Sequence, residues 1–258
     1  MIDLHSHVLP GFDDGAKDWD MAVEMCRIAA ADGITQMAAT PHIKEGIYDP
    51  EKKTIMAAVA ELNQRISGSL DLEILLGADV HFSAELPMKV GMGSIPLINN
   101  RNYLLLELPA NAIPLGLRQL IFELRLRGVF PILTHPERNT AIQGQEERLR
   151  EFINGGALVQ ITAMSLTGEF GAAAKKSAER MIGLNLVHNM ASDAHSTEVR
   201  PPVLSAAVAQ VSRMAGAGVA EMLVSTIPAA IVRGDTVDLP DLPTMRRHHR
   251  SFWRTRDC

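Results

Sequence analysis

The chain has 258 residues, enough for one large domain or two small ones, and 47% of them are hydrophobic, which supplies a full core. Its 25 Lys and Arg against 30 Asp and Glu leave a net charge of −5, which disfavours broad nucleic-acid binding through the phosphate backbone. Two cysteines far apart, Cys26 and Cys258, form neither a disulfide framework nor a thiolate metal motif. Asp3, His5, His7 and Asp13 break up the N-terminal segment, so no secretory signal is read there and a soluble, cytoplasmic protein is expected.

Short apolar or β-branched runs predict strands near 2–5, 34–39, 72–78, 102–107, 129–134, 157–161 and 187–191. Helical periodicity fills the gaps between them. "WDMAVEMCRIAAADG" ends on Gly33, "EKKTIMAAVAELNQRI" follows Pro50, and "PLGLRQLIFELRLRG" starts at Pro114 and stops at Gly128. Strand–helix units in series imply a parallel sheet, because parallel neighbours need a crossover. About seven units in this length suit a closed or nearly closed βα barrel, with an open doubly wound sheet as the alternative. No glycine-rich phosphate loop follows any strand. The apolar stretch "AGAGVAEMLVSTIPAAIV" is interrupted by Glu221 and Pro228 and is not read as a membrane span. From residue 236 onward, "TVDLPDLPTMRRHHRSFWRTRDC" reads as a loosely docked or disordered basic tail, with an anchor for an acidic partner as the weaker alternative.

The chemistry is concentrated where strands end. In "DLHSH", Asp3, His5 and His7 alternate, so a continuing strand projects all three to one face, and two imidazoles there make a chelating pair. The same placement recurs with His42 in "ATPHI", Asp79 in "LLGADVHF", Glu107 in "LLLELP", His135 in "ILTHPER", and Asp193 with His195 in "MASDAH". Each residue alone has a plain structural explanation: a loop histidine, a solvated Glu107, a helix cap at Asp14, a turn at Asp193. Together they match the way barrel enzymes assemble a site from the C-terminal ends of several strands. Nine nitrogen and oxygen donors without sulfur are too many for one ion and suggest two or three borderline or hard metals.

The motifs "DLHSH", "DDG", "TPH", "THPER" and "SDAH", in this order, resemble the polymerase and histidinol phosphatase (PHP) superfamily of metal-dependent phosphoesterases. The longer segments "HSHVLPGFDDGAKD", "LPANAIPLGLRQLIFELRLRGVFPILTHPERN" and "ASDAHSTEVRPP" resemble more narrowly the bacterial manganese-dependent protein-tyrosine phosphatases of capsule and exopolysaccharide loci. The resemblance spans roughly residues 1–235 and leaves 236–258 uncovered. It implies an α/β fold, a distorted (β/α)7 TIM-like barrel in a single domain. It also implies a trinuclear centre held by His5, His7, Asp14, His42, Asp79, Glu107, His135, Asp193 and His195, with Arg138 and Arg200 at the phosphate.

Asp13 competes with Asp14 as a ligand, and the family's spacing favours Asp14. Asp79 stands where the family commonly has glutamate. His81, on the same strand face as Asp79, reads as a surface histidine or a helper. Asp3 is expected to orient a ligand histidine, with a structural hydrogen bond as the rival. The cofactor implied is Mn2+, two or three ions, with Zn2+, Fe2+ or Co2+ as substitutes. A metal-bridging hydroxide would attack phosphorus in line.

The partner implied is a phosphotyrosine-containing bacterial tyrosine kinase that regulates capsule or exopolysaccharide synthesis; neither nucleic acid nor integration into a membrane is expected. Two alternatives stand beside this. One is a histidinol-phosphate phosphatase or another small-molecule phosphoesterase of the same superfamily, the other a PHP scaffold without turnover. A cysteine-based phosphatase is excluded, because the residue six after Cys26 is Asp32 rather than arginine and Cys258 ends the chain.

Overall fold

The structure, a computed structural model, describes residues 1–237. The expected basic tail lies outside the described residues apart from Thr236 and Val237, and Cys258 lies outside with it. In chain order the elements are β1 (Ile2–Ser6), α1 (Trp19–Ala31), β2 (Gln36–Ala39), β3 (His42–Ile43), α2 (Lys52–Ile66), β4 (Glu73–Leu76), β5 (Asp79–His81) and α3 (Leu86–Gly91). They continue with β6 (Tyr103–Glu107), α4 (Leu117–Leu126), β7 (Phe130–Thr134), α5 (Leu149–Asn154), β8 (Leu158–Thr162), α6 (Ala163–Thr167), α7 (Gly171–Gly183) and β9 (Asn189–Ala191). The last are α8 (Ser205–Ala215), α9 (Ala217–Glu221) and α10 (Ile227–Arg233).

Helix α1 shows how local sequence sets an element. Asp18 caps it by accepting from Met21 N at 2.8 Å, and Ala22, Met25, Cys26 and Ala29 bury one helical stripe in the larger core. No described helix is long and apolar enough to cross a membrane, and the stretch ending in α10 packs as short consecutive helices.

All strand pairs within the sheets are parallel, but the strands form two sheets rather than one closed ring. The first has the order β1-β2-β4, the second β3-β5-β6-β7-β8-β9. Two of the seven strands expected from sequence, 34–39 and 72–78, are each followed after a short break by a further strand that was not expected, β3 and β5, and those breaks divide the sheets. Pro41 has no N–H for the ladder and separates β2 from β3; Gly77 and Ala78 separate β4 from β5. Across the other seam β1 and β9 touch through the isolated bridge Ser6–Ala194, with Asp193 N donating to His5 O at 2.9 Å and His7 N to Ala194 O at 2.8 Å.

Leu4, Ala38, Leu75, Leu105, Ile132 and Leu158, one from each of six strands, belong to a single buried cluster with Ile227 and Ile231 of α10. Each lies a few residues upstream of a polar strand end, so a dry layer underlies the polar rim. Helices α1, α2, α4 and α7 bury their apolar stripes in the larger core.

His188, only 2% exposed, pins β9 to β8: its Nδ1 accepts from Val159 N at 3.1 Å while its own N donates to Val159 O at 2.9 Å. Burial holds its pKa down at about 4, from an ordinary 6.5. Because the unfolded chain takes up this proton first, His188 makes the fold less stable as pH falls from 6.5 to 4. The loss amounts to about 3 kcal/mol, at about 1.4 kcal/mol per pK unit. Urea unfolding at a series of pH values should show this loss in the wild type and not in His188→Gln; parallel pH profiles would overturn it.

Candidate metal centre

The site is assembled where β1, β6, β7 and β9 end and where β3 and β5 begin. On β1 the register slips between Asp3–Met37 and Ser6–Ala39, a bulge that breaks strict alternation. His5 and His7 therefore meet, with their Nε2 atoms 3.1 Å apart, while Asp3 does not join them. The Asp3 carboxylate accepts instead from His5 N at 3.3 Å and from Ser192 N at 3.0 Å and Ser192 Oγ at 2.5 Å. The expected imidazole-orienting role of Asp3 gives way to its rival, a structural bond across the β1–β9 seam, and burial raises its pKa to about 6.

Hydrogen bonds fix which nitrogen of two rings faces inward. His7 Nδ1–H donates to Asp13 Oδ2 at 2.7 Å, and His195 Nδ1–H to the Asp193 carbonyl at 2.9 Å. His5 Nδ1 lies 2.9 Å from Gln160 Nε2, and rotating that amide would bring Oε1, which makes no hydrogen bond, to the ring to accept an Nδ1–H. The His7 and His195 bonds turn Nε2 toward the cluster, the geometry that positions imidazoles on a cation. Asp13 also accepts from His42 N at 2.9 Å and Gly15 N at 2.9 Å, so it supports two donor residues while Asp14 faces the donors themselves.

Asp14 Oδ1 is 3.6 Å from His195 Nε2 and 3.8 Å from His42 Nε2. Asp79 is in register with His42 across the β3–β5 ladder, and its Oδ2 reaches His42 Nδ1 at 3.3 Å and His5 Nε2 at 3.6 Å. Even with one methylene fewer than glutamate it spans two donor groups, and Thr134 Oγ1 steadies its other oxygen at 3.3 Å. Glu107 Oε1 is 3.8 Å from His135 Nε2. Asp193 faces inward with Oδ1, 3.5 Å from His5 Nε2 and 3.4 Å from His7 Nε2.

The donors fall into overlapping groups with all atoms within 4.8 Å: His7, Asp14, His42 and His195; His5, His7 and Asp193; Asp79, Glu107 and His135. All nine residues expected from sequence are therefore brought together. Of the two readings of His81, the structure favours the helper over the surface histidine. His81 is in register with Glu107, pairs with its Oε2, and completes a further group with His42.

These residues fit a cation. His42 Nδ1 and Asp79 Oδ2 are buried, and neither makes a hydrogen bond. The donor set is all nitrogen and oxygen, suited to borderline or hard divalent ions. Two carboxylates 4 Å apart at an effective dielectric of 20 repel by about 4 kcal/mol, so the cluster needs positive charge among its acids. Burial pulls the His7 pKa down, but the Asp13 and Asp193 carboxylates outweigh it and raise it to about 10. Burial raises Asp193, but His5, His7, His135 and Arg200 hold it well below the carboxylate range. For His195, burial and the neighbouring His7 lower the pKa to about 3.

On its outer side, Asp193 Oδ2 accepts from Arg138 Nη1 and from Arg200 Nη2, each at 2.5 Å. Both guanidiniums lie near the ring of Phe170, at 4.4 and 5.5 Å from its centroid. The sequence reading missed Phe170, Gln160 and Tyr48, whose ring stacks on His42 at 5.8 Å. An isolated aromatic or amide in a loop or strand carries no motif, so no sequence signal marked them. Two clefts flank the cluster: one of 590 Å³ bordered by Lys44, His81, Phe82 and Glu107, the other of 510 Å³ bordered by Asp14, Lys17, His195 and Arg200.

The family described as "Capsular polysaccharide synthesis, CpsB/CapC" matches residues 1–233. The chain belongs to the CpsB/CapC family. It is 37% identical over 201 residues to the tyrosine-protein phosphatase YwqE of Bacillus subtilis, covering 78% of this chain and 79% of YwqE. It is 40% identical over 205 residues to the putative tyrosine-protein phosphatase CapC of Staphylococcus aureus, covering 79% and 80%. A crystal structure from the pair YwqE of B. subtilis and CpsB of Streptococcus pneumoniae, described as metal-dependent tyrosine phosphatases, superposes with a TM-score of 0.90 at 32% identity. That superposition covers 96% of this chain and 100% of the other. The CpsB/CapC assignment and the donor cluster thus coincide in one stretch of chain.

Two consequences are measurable. Because metal-free His7 holds its proton up to about pH 10, an ion must displace it, and apparent affinity should fall about tenfold per pH unit from 9 to 6. Calorimetry in buffers of different ionisation enthalpy should record at least one proton released per cluster filled at pH 7.5; no release would refute this. The Cβ of an alanine at Gly15 would stand 2.0 Å from His7 O and 2.5 Å from His7 Cβ. Gly15→Ala should therefore cost about 1–3 kcal/mol of stability and lower metal content, read by urea unfolding and elemental analysis.

Proposed function

We propose that this chain is a metal-dependent tyrosine phosphatase that hydrolyses phosphotyrosine on a bacterial tyrosine kinase controlling capsule or exopolysaccharide synthesis. The observation that carries the reading is Asp193: one carboxylate oxygen turns to the donor cluster and the other holds two arginines, so a phosphate-binding pair adjoins a cation site. Membership of the CpsB/CapC family, with relatives named as tyrosine-protein phosphatases, supplies the substrate class.

His5, His7, Asp14, His42, Asp79, Glu107, His135, Asp193 and His195 would hold two or three divalent ions, with manganese our preferred metal. Such ions lower the pKa of water and neutralise charge developing on a transferring phosphoryl group. The chain's own contribution is orientation. Asp13 and the Asp193 carbonyl fix the His7 and His195 rings, while Asp193 keeps Arg138 and Arg200 side by side. Planar guanidiniums clamp phosphate oxygens in a bidentate manner and stabilise added charge as the ester bond breaks. No thiol competes for the role of nucleophile among the described residues, because burial pushes Cys26 up to about 12.

We read residues 1–235 as the catalytic domain, in the cytoplasm. We also read the two sheets as arcs of one distorted seven-unit barrel, supported by the strand order and the Ser6–Ala194 contact.

Purified protein with manganese should hydrolyse p-nitrophenyl phosphate and a phosphotyrosine peptide, lose activity to a chelator and keep it under iodoacetamide. Arg138→Ala and Arg200→Ala should each lower kcat/KM by about 100-fold, the scale for one lost charge-stabilising donor. Turnover that survives the chelator would refute the mechanism. A preference for histidinol phosphate or a nucleotide over the peptide would refute the substrate.

A further inference from the structure

We infer that Phe170 is a positioning residue for phosphate capture, its ring holding Arg138 and Arg200 as an aligned pair. The inference rests on the proposal that these two arginines receive the phosphate. Phe170 lies in the turn between α6 and α7, where Gly171 N donates to Gly168 O at 2.9 Å and Gly168 N to Met164 O at 3.0 Å. The glycines on either side, Gly168 with φ +107° and Gly171 with φ +88°, adopt backbone that side chains resist, so the turn presents the ring in one place.

The need for such a residue follows from charge. Two guanidiniums converge on one carboxylate oxygen, Asp193 Oδ2, each at 2.5 Å; this is the one carboxylate both touch, with Asp14 adding its field on Arg200. Arg200 is mostly buried, and its Nε makes no hydrogen bond. Asp193 must also serve the donor cluster through Oδ1, so it cannot turn fully to the arginines. The ring supplies what the carboxylate cannot: a polarisable negative face against which both cations rest without a further formal charge. A second carboxylate there would repel the incoming phosphate; an aromatic face does not. Arg138, 4.4 Å from the ring centroid, gains more from it than Arg200 at 5.5 Å.

The ring's work is thus done before substrate arrives, by restricting long side chains to the geometry that a phosphate can bridge. Leucine at this position keeps the apolar bulk and loses the π face; tyrosine and tryptophan keep both.

The test uses the full chain loaded with manganese. Phe170→Leu should raise KM for a phosphotyrosine peptide and the inhibition constant of inorganic phosphate in parallel, by about 5- to 10-fold, the scale of one to two exposed cation–π contacts. kcat should change less than about threefold, and metal content by elemental analysis should equal the wild type. Phe170→Tyr and Phe170→Trp should restore both constants to within about twofold. An unchanged phosphate inhibition constant in Phe170→Leu would overturn the inference. So would a rise confined to the aryl substrate, since the ring would then be touching the phenyl group rather than aligning the arginines. If Arg138→Lys and Arg200→Lys leave the phosphate inhibition constant unchanged, the phosphate-binding proposal itself fails, which separates that failure from the failure of Phe170.

Discussion

Four carboxylates and six imidazoles packed to within contact distance bring like charges together and strip one another of water, and everything around the site is arranged to hold them there despite that cost. Neither sheet could gather them alone. The β1-β2-β4 sheet brings His5 and His7, while the longer sheet brings His42, Asp79, Glu107 and His135. The seam at Ser6 and Ala194 joins the two so that Asp193 reaches His5 and His7. Buried carboxylates away from the cluster serve this assembly. Asp3 ties β1 to Ser192, and Glu137 accepts from Thr162 N at 3.0 Å and Ser165 Oγ at 2.6 Å, anchoring the turn that carries His135 and Arg138.

Strain is stored in the same place. His135 has φ +34° and Asp193 φ +53°, left-handed backbone without glycine, costing about 1–3 kcal/mol each. Both residues leave a strand and must turn a donor back over its end, and an ordinary extended continuation would carry the side chain past the cluster. The dry layer of Leu4, Leu105, Ile132 and Leu158 beneath the rim gives that strain a rigid base.

The relation to YwqE and CpsB holds over nearly the whole described chain, whereas more distant likenesses concern fold alone. A parallel α/β scaffold with donors at strand ends hosts many reactions, and chemistry is decided by what adjoins the ions. In this chain Arg138 and Arg200 meet on Asp193 beside the donor cluster, with the Phe170 ring next to them.

Seven of the strand positions, helices α1, α2 and α4, and the placing of polar residues near strand ends were legible in the sequence, whereas the full set of nine candidate ligands and the two arginines came with the family resemblance. Alternation of apolar runs with helical periods, and polar residues placed at the ends of those runs, are local patterns that composition and spacing carry. The sequence also located helix α1 to within two residues, from a helical period that begins at Trp19 and ends on Gly33; the cap, Asp18 rather than Asp14, came from the structure. Only the tertiary structure decided how the rim closes. Pro41 and the Gly77–Ala78 break divide the sheet, the β1 bulge sends Asp3 to Ser192 rather than to an imidazole, and His81 joins Glu107 instead of solvent. The physical reason is the same in each case. Which strands pair, and at what register, is settled by contacts between residues dozens to nearly two hundred positions apart, as in Asp3 with Ser192, and no local pattern of residues encodes the partner.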